Sequence, residues 1–394
     1  MTTSYLTRRR YRPDDPRPVR ARVVERRSPA KPPKDGRGPM RTLAYADWCR
    51  KADRHKLRLA HRVLGGATIP TRRSTPQLPE LRALMRWVRA PYADQVTAML
   101  RVPTYLRAST DAGGPARVEW LAELPRRVEE LTARWGLELG EPFEPGGDCS
   151  WVAPGTDREG RAVVLKVAWQ HAESLHEVEA LAALGGQGAV EVYSFEHLDS
   201  DTTAMLLERC LPGDELRTRP ETEQHVVVTD LLRSVWAVDL PSDHPFRPLS
   251  VMADDWVARA EARLTAEPGR LDNGLAREGL ALFRELSRTG PAGVLLFTDL
   301  HAGNVLSGER RPWLLIDPKP YVGDPHYDVL QHLLTCEVSL QADPNGLLTE
   351  VAGLADLDVG RVRQWLFARC VQEILGDDSP WPGLDVVLHR LGWL

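Results

Sequence analysis

The sequence predicts an α+β chain of two lobes, a small β-rich lobe and then a larger helical one, preceded by a basic extension expected to be largely disordered. Three observations predict it. Turn dipeptides and short apolar runs cluster around residues 139–210, helical periodicity dominates from 221 onward, and charge divides the chain near its first quarter. Residues 1–98 hold 24 Lys+Arg against 8 Asp+Glu, a net of +16, which leaves 27 against 47, a net of −20, in residues 99–394. The formal charge of −4 over all 394 residues hides that division.

Several classes are excluded by composition. Hydrophobic residues make up 42% of the chain, ample for two or three domains with real cores. No apolar run approaches the ~18 residues that read as a membrane-spanning helix. The N-terminus, MTTSYLTRRRYRPDDPRP, lacks the apolar segment of a secretory signal. The five cysteines, Cys49, Cys149, Cys210, Cys336 and Cys370, are odd in number and form no C-x-x-C pair. A disulfide framework or a cysteine-based zinc site is therefore not expected, and the expected compartment is a reducing cytoplasm.

The elements follow in order. Residues 1–40 are rich in Arg and Pro and bury too little to offset the entropy of ordering. Basic helices are expected over 41–63 and 81–88, joined by the linker GGATIPTRRSTPQLP. Residues 1–98 read as an upstream extension or a misassigned start, with Met85 and Met99 as later starts. Nucleic-acid binding by this arm is the weaker reading, because no recognition motif accompanies the charge. A helix over 118–135 carries an apolar face of Val118, Leu121, Leu124, Val128, Leu131 and Trp135. A strand pair around PGGDCSWVAPG and 162–168 comes next, then a helix at 172–184 and strands near 189–196 and 203–210. After Pro212-Gly213 the chain turns helical at 221–239, 252–266 and 273–289. Two short strands, VLLF and WLLID, bracket a polar loop, and helices resume at 326–338, 345–355 and 359–375.

The chemistry concentrates in that polar loop. Asp299-Leu-His-Ala-Gly-Asn304 follows VLLFT, and Asp317 ends the next apolar run. Oxygen donors from Asn304 and Asp317 suit Mg²⁺ beside a nucleotide triphosphate, and Asp299 stays free to take a proton from an attacking hydroxyl. Lys166 lies in the apolar strand AVVLKVA, where an unpaired ammonium is costly. Glu177, eleven residues on, is the expected partner, in preference to Glu179, which faces another side of its helix. Gly146, Gly147 and Ser150 form a Gly-Gly turn through which backbone N–H groups can approach phosphate, a weak signal on its own, since a plain hairpin turn has the same composition.

These motifs carry a resemblance. Lys166, Glu177, DLHAGN at 299–304 and IDPKPYVGDPHYD at 316–328 look like the aminoglycoside phosphotransferase branch of the protein-kinase-like fold. More narrowly they resemble the aminoglycoside/hydroxyurea resistance kinases, of the streptomycin 6-phosphotransferase type, over roughly residues 102–378. The resemblance implies a two-lobe kinase fold, with residues 99–212 as the N-lobe and its leading helix and 213–394 as the C-lobe. It implies Asp299 as catalytic base, Asn304 and Asp317 as metal ligands, and Lys166 on the α/β-phosphates with Glu177 behind it. Residues 207–211, around Glu208 and Cys210, become the hinge that reads adenine. Asp328 would brace the loop, and His301 would be structural. Two departures stand out: Phe297 occupies a position where many relatives have His, and Asp317-Pro318-Lys319 replaces Asp-Phe-Gly.

The resulting expectation is an ATP- and Mg²⁺-dependent small-molecule O-kinase, acting as a monomer on a cationic aminoglycoside of the streptomycin type. The acidic lobes suit such a ligand, and Asp254, Asp255, Glu337, Glu373 and Asp377 are candidate acceptor-site acids. Another hydroxylated acceptor, such as hydroxyurea or a sugar, is the alternative. A kinase-like binding protein without catalysis is the more distant one.

Overall fold

The computed structural model describes residues 100–394, apart from 268, 292 and 377–380. The expected extension with its two helices, and Asp377, lie outside the described residues. The described residues fall in one compact unit. One core lies within the first lobe, and a second, larger one fills the helical lobe and extends into the first; none of the described helices is long and apolar enough to cross a membrane.

The first lobe is built on a five-stranded antiparallel sheet in the order β1-β2-β3-β5-β4. The strands are β1 (Glu138–Leu139), β2 (Ser150–Thr156), β3 (Ala162–Trp169), β4 (Val192–Asp199) and β5 (Thr202–Glu208). Two helices precede it, α1 (Thr104–Ala112) and α2 (Pro115–Trp135). Helix α1 was not foreseen, and α2 buries Trp120, Leu124, Val128 and Leu131, leaving Val118 49% exposed. The packed stripe thus runs through Trp120 rather than Val118. Strand parity then assigns the faces. Val163, Leu165 and Val167 of β3 join the α2 core with Ala204 and Leu206 of β5. Met205 and Leu207 turn to the other face and join the larger core. Lys166 has the parity of that second face.

The helix expected at 172–184 is interrupted. A short turn at Ala172–Ser174 precedes α3 (Glu177–Leu184). His176 between them takes the left-handed conformation, φ 69°, which no helix interior tolerates. Glu177 therefore opens the helix, where its charge also complements the helix N-terminus.

The second lobe is helical: α4 (Glu221–Trp236), α5 (Leu249–Ala266), α6 (Asn273–Leu286), α7 (Pro325–Asp328), α8 (Leu330–Thr335), α9 (Glu337–Ala342), α10 (Pro344–Ala355), α11 (Val359–Leu375) and α12 (Leu384–Arg390). The single helix expected at 326–338 is three short ones. The short strands of this lobe form two ladders. VLLF supplies β6 (Val294–Leu296), which pairs with β9 (Tyr321–Gly323), while β7 (Val305–Ser307) pairs with β8 (Trp313–Leu315). Two nested ladders thus hold the 297–304 loop and the 316–320 loop at the same end.

Candidate active site

Parity and ladder geometry bring the chemistry-bearing residues into two ion-paired sets, joined electrostatically through Asp317 and Lys319. Lys166 Nζ donates to Glu177 Oε1 at 2.6 Å and to Asp317 Oδ1 at 2.6 Å. Lys319 Nζ donates to Asp299 Oδ2. Three carboxylates thus alternate with two ammonium groups across residues 166 to 319. Glu177 rather than Glu179 meets Lys166, while Glu179 faces His176 at 3.6 Å.

The charges shape one another. Burial works against the Lys166 ammonium, but Asp317 and Glu177 outweigh it and raise its pKa. Lys319 behaves alike: burial opposes its charge, and Asp299 and Asp317 overcome it. Burial would raise Asp317, yet Lys166 and Lys319 hold its carboxyl far below the ordinary range. Glu177 is the member pushed the other way, up to about 7, because burial exceeds its share of Lys166.

The loop that carries Asp299 is strained and braced. Thr298 and Asp317 are left-handed at φ 54° and 60°, a conformation that costs a non-glycine residue roughly 1–2 kcal/mol. Asp328 holds the first of them. Its buried carboxylate accepts from Phe297 N at 2.9 Å, Thr298 N at 2.6 Å and Trp236 Nε1 at 2.9 Å. Burial pushes that carboxyl up to about 6 against the pull of those donors. Phe297 itself is buried, and its carbonyl accepts from Asp299 N at 2.8 Å and Lys319 N at 3.1 Å. The main chain thus does the bracing at the position where a histidine was missing. Asn304 Nδ2 donates to the Asp299 carbonyl at 3.0 Å, so the amide oxygen is the atom left for a ligand. His301 spends Nδ1 on the Gly303 N–H at 3.0 Å, and burial lowers its pKa. Both observations fit a structural residue.

Other singled-out residues fall around this chain. Ser150 opens β2 and pairs with Ala168. Gly146 has φ +80°, and an added Cβ would stand 2.4 Å from Pro103 Cβ. Packing against Pro103 is enough to require its smallness. At Gly147 a Cβ would stand 3.2 Å from Ser150 Oγ. The neighbouring Asp148 and Cys149 interact electrostatically with Lys319, so this turn reaches the site. Glu208 accepts from Arg310 Nη2 at 2.7 Å and from Glu191 N at 3.0 Å. Its side chain is therefore committed to joining the lobes. Cys210 is half-buried on the following segment, and burial pushes its thiol up to about 11.

The candidate acceptor acids separate. Asp254 pairs with Arg288 at 2.5 Å and Asp255 with Arg259 at 2.7 Å. Glu373 is buried against Arg369 at 2.8 Å. Glu337 has a Gln341 contact at 3.4 Å. Glu173, which sequence reasoning passed over, accepts from Trp256 Nε1 at 3.2 Å and interacts electrostatically with Lys319 and Arg369. Lys319 was passed over too, read only as a break in the Asp-Phe-Gly pattern. A lysine between two prolines, two residues from a candidate metal carboxylate, was the available signal. A cavity of about 470 Å³ lined by Glu261, Arg277 and Arg284 shares none of these residues.

Known proteins resemble this chain over much of its length. Residues 135–374 match the family described as aminoglycoside/hydroxyurea antibiotic resistance kinase. A hydroxyurea phosphotransferase of Kitasatospora aureofaciens is 36% identical over 71% of this chain and 81% of its own. A streptomycin 6-kinase of Streptomyces glaucescens is 31% identical over 71% of this chain and 91% of its own. A solved aminoglycoside phosphotransferase, APH(4)-Ia with AMP-PNP and hygromycin B, aligns with 67% of this chain and 95% of its own, at 18% identity and a TM-score of 0.44.

Proposed function

The chain belongs to the aminoglycoside/hydroxyurea antibiotic resistance kinase family, and from that premise we propose that it transfers the γ-phosphoryl group of ATP, with Mg²⁺, to a hydroxyl of a cationic antibiotic of the streptomycin type. The observation that carries this reading is the alternating chain Glu177–Lys166–Asp317 and Lys319–Asp299. It supports reading Lys166 as the phosphate-binding lysine, Asp317 as an oxygen ligand for a metal and Asp299 as the base.

Each residue has a part in the proposal. Lys166, fixed by Glu177, binds the α- and β-phosphates. The Asn304 amide oxygen and the Asp317 carboxylate fit Mg²⁺, a hard cation that takes oxygen ligands. Bound there, the ion would neutralise charge on the phosphates. Asp299 Oδ1 faces the acceptor hydroxyl and takes its proton as the oxygen attacks phosphorus in line. Lys319 holds Asp299 Oδ2 and so fixes which oxygen is presented. It also compensates negative charge next to the transferring group. The main chain of 207–211, around Glu208 and Cys210, binds adenine, and the turn at Gly146, Gly147 and Ser150 covers the phosphates. Glu173, beside Trp256, supplies an acidic wall for a cationic acceptor.

Hydroxyurea is the second reading, favoured by the 36% identity to a hydroxyurea phosphotransferase. ADP release by the purified full chain, tested with streptomycin, hydroxyurea and a neutral sugar, separates the two. Turnover with streptomycin that falls roughly 10²–10⁴-fold in Asp299→Ala is expected. Turnover with hydroxyurea alone would transfer the substrate assignment, and an Asp299→Ala enzyme of unchanged rate would end the mechanism.

A further inference from the structure

Behind the catalytic loop, α4 and α8 assemble a buried group that phosphotransfer does not use. Glu221 and His225 lie four residues apart on α4, and His332 and Cys336 lie four apart along α8 and its cap. Residues at that spacing share one helix face. The spacing holds through the α8–α9 junction, because Cys336 N donates to His332 O at 3.2 Å. The two pairs face each other. His225 Nδ1 stands 2.9 Å from His332 Nε2, and Cys336 Sγ 3.9 Å from the same nitrogen. One donor atom from each of the three residues lies within 4.8 Å of the others. Glu221 stands at the rim, outside that set of three, with Oε1 3.8 Å from the other ring nitrogen of His225, Nε2, and a side-chain hydrogen bond to Cys336, so a side-chain swing would bring it in as a fourth donor.

The chemistry of this set is specific. Zinc holds imidazole nitrogen at ~2.0–2.1 Å and thiolate sulfur at ~2.3 Å in a tetrahedron, which sets neighbouring donors roughly 3.3–3.7 Å apart. The observed separations of 2.9 and 3.9 Å bracket that range, so small side-chain adjustments are enough. Nitrogen and sulfur donors disfavour Mg²⁺, which demands oxygen. His332 is 0% exposed, His225 3% and Cys336 6%. Among the described residues the His332 ring bonds to His225 and Cys336 through Nε2, and its buried Nδ1 has no hydrogen-bond partner.

We propose that His225, His332 and Cys336, with Glu221 as the fourth donor, bind one zinc-class divalent cation that clamps α4 to the α8–α9 junction. A closed four-donor set is the pattern of a structural rather than a catalytic site. The clamp would act at the base of the catalytic loop, since His301 interacts electrostatically with His332.

The test uses the full chain, purified reduced and freed of metal with chelator, then given Zn²⁺ or Co²⁺ and desalted. One metal per chain is expected, with a thiolate-to-cobalt charge-transfer band and a melting temperature raised by Zn²⁺. Cys336→Ala should lose the band, and His225→Gln should lose the thermal shift. Glu221→Gln, at the exposed rim, tests the same set should either of those variants fail to fold, and should weaken zinc binding at least tenfold. Substoichiometric metal in the wild-type chain would overturn the proposal. So would a charge-transfer band that survives in Cys336→Ala, or zinc affinity unchanged in Glu221→Gln.

Discussion

Replacing Lys319 by Ala is the sharpest test of the proposed site, because the structure separates its side chain from its backbone. Lys319 N donates to Phe297 O at 3.1 Å, and Lys319 O accepts from Thr298 Oγ1 at 2.5 Å. Those bonds, and the prolines on either side, keep the chain in place when the ammonium is removed. What is lost is the contact with Asp299 Oδ2. At ~3 Å and an effective dielectric near 20 that attraction is about 5 kcal/mol before desolvation. Removing one partner of a buried pair costs about 3–5 kcal/mol, less where water re-enters an open cleft, so about 2–3 kcal/mol of folding stability is expected to go. The catalytic effect should be larger than a binding effect. Loss of one preorganised electrostatic group lowers kcat roughly 10²–10³-fold, and KM for ATP should move only a few-fold. Steady-state ADP release, with circular dichroism to confirm the fold, measures both. Lys319→Met keeps the aliphatic stem and should be as slow as Lys319→Ala, while Lys319→Arg should recover part of kcat. A Lys319→Ala enzyme whose kcat stays within a few-fold of wild type would refute the assigned role. A rise confined to KM would refute it too, since that is the mark of uniform binding.

Three further outcomes are expected. Asp328→Ala strips an acceptor from Phe297 N, Thr298 N and Trp236 Nε1; at ~1–3 kcal/mol for each stranded donor, a loss of about 4 kcal/mol in a denaturant melt is expected, with kcat falling as well. Asp324 is held at about 2, where burial is outweighed by bonds from His326, Trp365 and Arg361. Its folded pKa is depressed, so its contribution of about 2 kcal/mol is present above its ordinary value and fades as pH falls through the folded one. The stability gap between wild type and Asp324→Asn should therefore be full at pH 5 and roughly halved at pH 3, and a gap independent of pH would contradict the assignment. Gly146→Ala should destabilise the first lobe through Pro103, and a thermal melt should show that loss with nucleotide absent, whereas a purely phosphate-binding glycine would show it in KM alone.

What the sequence made legible depended on where each residue's partner lay. Asp299 and Asn304 sit on one loop, and Lys166 and Glu177 on adjacent elements, so periodicity and spacing suffice to set them together. Lys319 is different. Its meeting with Asp299 requires the chain to turn back at Asp317, which it does with a left-handed φ of 60° at a non-glycine residue. Asp tolerates that conformation better than most residues, but its identity alone does not announce the turn, which is disfavoured locally and persists when surroundings over-determine it. The β6–β9 pairing supplies part of that surrounding structure, bringing Leu296 opposite Tyr321 and so the 316–320 segment back beside Phe297. The Arg310–Glu208 bond, 102 positions apart, and the His225–His332 contact, 107 apart, were hidden for the same reason. Each joins elements whose proximity is a property of the packed lobes. The two left-handed residues, Thr298 and Asp317, are thus where local preference yields to the fold. They stand next to the candidate base and at the candidate metal ligand, on loops joined by the Thr298 Oγ1 bond to the Lys319 carbonyl. Backbone strain and site geometry therefore have one origin: the nested ladders that force both loops to the same end of the lobe.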